Sequence, residues 1–177
     1  HAKELGVDPD KIAVAGGSAG GYLALMVGLS DDKTGPGGDP TAKHSAKVSA
    51  VVDMYGVVNF AKRGKGEAPG TSPAEQAAYF PESQCDVRDP AVLILHGTAD
   101  TTVDISQSED MAKALRAAKV SHEYVVVEGA PHTFDLHPKG KGWKRTGVVG
   151  GVEVNGTSDQ PDVTKVTLEF LARTIGK

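Results

Sequence analysis

Apolar residues along this chain fall in short dense runs, and the spacers between the runs are rich in glycine, proline and charge. Four runs are too short for helices and carry β-branched residues: Lys11–Gly16 (KIAVAG), Val48–Tyr55 (VSAVVDMY), 92-VLILHG-97 and His122–Glu128 (HEYVVVE). They read as strands, and near-continuous apolar character is what a parallel sheet covered on both faces requires. Between them the period changes. Ala19–Leu29 is apolar on most faces, as in a helix buried against a sheet, whereas Ile105–Lys119 and Pro161–Ile175 are amphipathic helices, the latter with Asp159 placed as N-cap. His1–Leu5 reads as a helix end closed by Gly6, Pro73–Tyr79 as one short helix, and 31–43 as a loop. Strands alternating with helices predict a single α/β domain over 1–177, with a mostly parallel sheet flanked by helices and right-handed crossovers. The piece 146–159 does not follow the alternation; Val148–Val149 and Val152–Val154 can pair as a small hairpin.

The stretch 12-IAVAGGSAGGYLALMVGLS-30 carries the first chemistry. Gly16-Gly17-Ser18-Ala19-Gly20 matches G-x-S-x-G between a strand and a helix, the context of a nucleophile elbow. There the serine hydroxyl is lifted out of a strained turn, and side chains at positions 16 and 20 are expected to collide with the neighbouring strand and helix. The following helix aims its unpaired N–H groups at the serine, so the Ala19 N–H is placed to donate to an oxyanion. The plainer reading is a glycine-rich turn that happens to contain a serine.

Serine alone is a weak nucleophile and needs a base, and the base needs an acid to orient it. On this architecture the chain order is Ser, acid, His. Asp100 lies in 96-HGTADTTVD-104, just past the third strand, and His132 in 130-APHTFD-135, just past the fourth. All three loops open at the carboxyl edge of the sheet, where parallel sheets bind ligands. Rival acids are Asp104, better read as the N-cap of the next helix, and Asp53, near the end of the second strand. Among rival bases, His96 is expected to order its loop by hydrogen bonds. His44, His122 and His137 have surface or strand-face roles as the default.

Composition narrows the partners. The chain has 177 residues, 39% hydrophobic and 24% charged, with a formal net charge of −4, which argues against nucleic acid. The one basic cluster, 139-KGKGWKR-145, reads as a solvated loop, with a weak anionic contact as the alternative. A lone Cys85 forms no internal disulfide and leaves the compartment open. No Cys/His spacing suits a metal, no apolar run suits a membrane span, and the N-terminus lacks the apolar core of a signal peptide.

The run LGVDPDKIAVAGGSAGGYLAL, with HGTADTTV and APHTF, resembles the C-terminal half of an α/β-hydrolase. It is most similar to bacterial carboxylesterases of the acetyl-xylan and feruloyl-esterase-like group, near the hormone-sensitive-lipase branch. The resemblance covers most of residues 1–135. It implies a serine carboxylesterase with Ser18 as nucleophile, Asp100 as acid, His132 as base and Ala19 N–H as one oxyanion donor, with no metal or organic cofactor. Gly17, Tyr22 and Tyr55 are the expected substrate contacts, with the acyl pocket beside the 57–80 segment. Prolyl-oligopeptidase-type peptidases share the wider fold, but their elbow usually carries an aromatic residue after the serine, where this chain has Ala19.

The departures matter as much. The family's H-G-G motif, source of further oxyanion donors, occurs nowhere in the chain, and the strands that carry it are missing. The chain begins with His, so it is expected to be a fragment of a longer hydrolase or a minimal version of one. Either way the Ile12–Ala15 strand becomes an unpaired apolar edge, which invites a homo-oligomer through that strand. A hairpin from 146–156 folded over the edge is the remaining way to cover it. The class that competes with an esterase is a non-catalytic hydrolase-like binding or assembly module.

Overall fold

The computed structural model describes residues 1–31, 38–61, 72–136, 143–149, 152–158 and 160–176. Four strands run parallel and adjacent in chain order: β1 (Ala13–Gly17), β2 (Ala50–Met54), β3 (Ala91–Gly97) and β4 (His122–Val127). Two more, β5 (Trp143–Val149) and β6 (Val152–Ser158), extend the sheet antiparallel beyond β4. The result is a six-stranded sheet of order β1-β2-β3-β4-β5-β6. Helices α1 (Ala2–Leu5), α2 (Ala19–Leu29), α3 (Pro73–Ala77), α4 (Ser106–Ala117) and α5 (Gln160–Thr174), with 3-10 turns at Pro81–Ser83 and Phe134–Leu136, complete the described elements. The four expected parallel strands and the expected helices form, with ends shifted by a residue or two, and the suspected hairpin forms with longer strands than its valines marked. Asp159 and His137 lie outside the described residues, as do residues 32–37 of the 31–43 loop.

Alternation along the strands divides the core in two. Val51, Val92 and Ile94 face one side and pack with Leu25 and Leu29 of α2 and Met111 and Leu115 of α4. Val52, Leu93, Leu95 and Val125 face the other and pack with Val163, Val166 and Phe170 of α5. The central strands β2 and β3 are therefore covered on both faces, which explains their near-continuous apolar sequence, broken by Asp53 and His96. Arg173 Nη2 donates to both carboxylate oxygens of Glu123, at 2.9 and 3.0 Å, and ties the end of α5 to β4.

The hairpin does not cover the β1 edge. β5 pairs with β4, at the opposite side of the sheet, in a register that sets Tyr124 against Val148 and Val127 against Arg145. β1 therefore has one partner among the described residues, β2. Beside it Ile12 is 41% exposed, and on α2 Leu23 and Val27, one turn apart, are 60% and 45% exposed. A helix apolar all round thus buries only one side, through Gly21, Ala24, Leu25 and Leu29. No helix among the described residues is long and apolar enough to cross a membrane.

Candidate active site

Ser18 stands between β1 and α2 at φ 56° and ψ −121°, a left-handed backbone that costs a non-glycine residue about 1–3 kcal/mol. Its N–H donates to the Met54 carbonyl of β2 at 2.9 Å, and its carbonyl accepts the first helical bond from Tyr22 N–H at 3.1 Å. Tight packing behind it enforces the corner. A Cβ at Gly16 would sit 2.2 Å from the Gly20 carbonyl oxygen, whereas a Cβ at Gly20 would meet nothing within 4 Å. The expected steric need for glycine at both positions therefore holds for Gly16 alone. Ala19 opens α2, so its N–H has no acceptor within the helix.

β3 and β4 deliver the other two groups. His132 Nε2 lies 3.0 Å from Ser18 Oγ, and His132 Nδ1 lies 2.7 Å from Asp100 Oδ2. The imidazole is 17% exposed and the carboxylate 1%. Asp100 Oδ1 accepts from the N–H groups of Thr102 and Val103 at 2.8 and 2.9 Å. Burial pulls the Asp100 carboxyl upward, but hydrogen bonds from His132, Val103 and Thr102 outweigh it and hold it below its ordinary value. An ionised Asp100 only accepts, so Nδ1 of a neutral His132 carries the proton and Nε2 offers a lone pair to the serine hydroxyl.

His96, fully buried, orders the Asp100 loop by hydrogen bonds, as expected. Burial outweighs its hydrogen bonds and lowers its pKa, leaving it neutral. Its Nε2–H donates to the Val103 carbonyl at 3.0 Å and lies 3.3 Å from Asp100 Oδ2, while Nδ1 accepts from Ser108 Oγ at 2.7 Å. The rival acids go elsewhere. Asp104 is exposed and accepts from the Ser106 N–H at 2.9 Å, at the start of α4. Asp53 is fully buried, accepts from the Gly56 N–H at 3.0 Å, and is raised to about 7, chiefly by burial. His44 is exposed, and His122 Nδ1 donates to the Val120 carbonyl.

Of the expected substrate contacts, Tyr22 sits half-buried one turn past Ser18, its ring edge-on to Phe60 at 5.0 Å between centroids. Burial, then the neighbouring Tyr79, raises its phenol pKa. Gly17 is half-buried against the Tyr55 hydroxyl, which a Cβ would approach to 2.7 Å. Tyr55 departs from expectation. It is 2% exposed, and its hydroxyl donates to Asp135 Oδ1, so burial removes it from any substrate surface and sets it behind His132. Asp135 carried no motif that would have marked it.

The sequence model of the BD-FAE family matches residues 1–115. The Mycobacterium tuberculosis protein named probable carboxylic ester hydrolase LipM is 31% identical over 156 residues, 77% of this chain and 35% of its own length. Inactive dipeptidyl peptidase 10 of Mus musculus is 29% identical over 121 residues, 68% of this chain and 14% of its own. Esterase 2 of Thermogutta terrifontis, in a structure phosphonylated by cyclosarin, superposes at a TM-score of 0.67 with 31% identity, over 98% of this chain and 58% of that one. The chain thus spans about a third of LipM and somewhat over half of the esterase structure. The match across the elbow and the acid loop, with the sheet shared with solved esterases, settles the kinship: the chain belongs to the BD-FAE family and carries part of an α/β-hydrolase fold.

Proposed function

We propose that this chain is the triad-bearing part of a serine carboxylesterase that hydrolyses short-chain acyl esters. The observation that carries the reading is the unbroken path from Ser18 Oγ through His132 to Asp100, with links of 3.0 and 2.7 Å. His132 Nε2 takes the hydroxyl proton as Ser18 Oγ bonds to the ester carbonyl carbon. The carbonyl oxygen becomes an oxyanion beside the Ala19 N–H. As the intermediate collapses, the bond to the alcohol oxygen breaks, and the alcohol leaves with the proton from His132. Water, deprotonated by the same nitrogen, then attacks the acyl-enzyme, Ser18 recovers the proton, and the acid is released. Asp100 keeps the Nδ1–H tautomer and stabilises the imidazolium throughout. The scheme calls on no metal or organic cofactor.

One solved neighbour supports the choice of short acyl groups: structures of the Thermogutta terrifontis esterase are described with butyrate and with propionate bound. In this chain the acyl group would lie by Gly17, Tyr22 and the adjoining Phe60. The likeness to a protein named inactive dipeptidyl peptidase 10 favours one second reading, a non-catalytic module. Hydrolysis of p-nitrophenyl acetate by the chain and by Ser18→Ala separates the two. An esterase loses turnover in the variant; a non-catalytic module gives equal background rates.

We also infer an assembly in which a second copy covers the β1 edge. Among the described residues β1 has no strand on its outer side, Ile12 is half-exposed, and Leu23 and Val27 leave an exposed apolar stripe on α2; water solvates such surface poorly.

A further inference from the structure

We propose that Tyr55 and Asp135 form a positioning pair that holds the His132 imidazole against Ser18; this rests on the triad reading above. Tyr55 grips the His132 segment at two points. Its ring stands edge-on to the imidazole, 4.8 Å between centroids at 62°, and its hydroxyl donates to Asp135 Oδ1, three residues further on. Asp135 lies in the 3-10 turn Phe134–Leu136, whose Phe134 ring stands edge-on to the same phenol at 5.5 Å between centroids. Tyr55 N–H is bonded to the Leu95 carbonyl at 2.8 Å, so the grip is anchored on the strand that leads to Asp100. Gly17, next to the nucleophile, leaves the space the hydroxyl occupies.

Backbone strain marks the same place. Of the four non-glycine residues at positive φ among those described, three are Ser18, Tyr55 at 45° and Thr133 at 59°. Such conformations cost about 1–3 kcal/mol each and persist only where the surroundings fix them. A tyrosine that merely filled the core would need neither the strain nor the carboxylate. Burial and Asp135 together raise its phenol pKa, so it stays a donor. A shift of the imidazole by about 1 Å costs such a site on the order of a hundredfold in rate.

The test uses the whole chain labelled with 15N-histidine, with His132→Gln to assign the hydrogen-bonded Nδ1–H resonance. Tyr55→Phe keeps the ring and removes the hydroxyl; Asp135→Ala removes the acceptor; Asp135→Asn keeps one. Both losses are expected to broaden or shift the His132 resonance and slow phosphorylation of Ser18 by paraoxon about ten- to a hundredfold. Asp135→Asn is expected to stay near wild type in both. A Tyr55→Phe chain with wild-type resonance overturns the proposal, and so does Asp135→Asn behaving like Asp135→Ala. If the unmodified chain itself is not phosphorylated, the esterase reading fails, and the resonance alone still decides the positioning role.

Discussion

The Ala99 N–H donates to the Ala130 carbonyl at 3.1 Å, and this bond joins the loop that carries Asp100 to the loop that carries His132. A second tie, from the Gly129 N–H to Thr98 Oγ1 at 2.8 Å, lies beside it. The loops of Asp100 and His132 are thus tied to each other by two bonds besides the one between their side chains.

Gly97 makes that approach possible, because a Cβ there would sit 2.2 Å from the Ala130 carbonyl oxygen. Gly97→Ala is expected to push the loops apart. Overpacking of this kind costs about 1–3 kcal/mol, and the displaced base slows ester hydrolysis by on the order of a hundredfold. Denaturant unfolding and p-nitrophenyl acetate kinetics on the same sample check both. Unchanged kinetics would show that the loop tie does not set the triad.

Asp53 makes stability depend on pH. Burial raises its carboxyl from 3.8 to about 7 in the folded chain, and Oδ2 has no hydrogen-bond partner among the described residues. The folded value lies above the unfolded one, so the folded state holds an extra proton between those limits. Stability is therefore lost as pH rises from about 4 to about 7, and levels off above. At about 1.4 kcal/mol per unit the loss is bounded near 4 kcal/mol. Asp53→Asn keeps an acceptor for Gly56 and removes the titration. Its stability relative to wild type is expected to grow across that window in urea unfolding; a constant difference contradicts this.

The apolar border makes a prediction about assembly. Leu23→Ser with Val27→Ser is expected to weaken self-association by about tenfold or more, since burying one such side chain is worth roughly 1.5–3 kcal/mol. Sedimentation velocity over a concentration series measures it. A chain that is monomeric throughout, or association indifferent to the double substitution, removes the second copy from the account.

How much of this was legible in the sequence follows from the range of each interaction. Ser18, Asp100 and His132 were readable because each sits at a strand end in a local pattern, and topology brings strand ends together. The strands were readable because β2 and β3 are buried on both faces. The hairpin could be suspected from Val148–Val149 and Val152–Val154, but its place beside β4 depends on pairing with Tyr124–Val127, which no local pattern encodes. Tyr55 looked like a pocket residue because it follows a strand toward the site. Its left-handed backbone and its bond to Asp135, eighty residues away, turn it inward instead. Asp135 follows the base in sequence without any motif, and only the fold shows its partner.

The central claim is that Ser18 is the nucleophile activated by His132. Mixing the chain with p-nitrophenyl butyrate, quenching in acid and mapping peptides by mass spectrometry tests it most directly. The account predicts a butyryl group on Ser18, absent in His132→Gln and Ser18→Ala. Butyrylation confined to lysines, or equal labelling of Ser18 without His132, would contradict it.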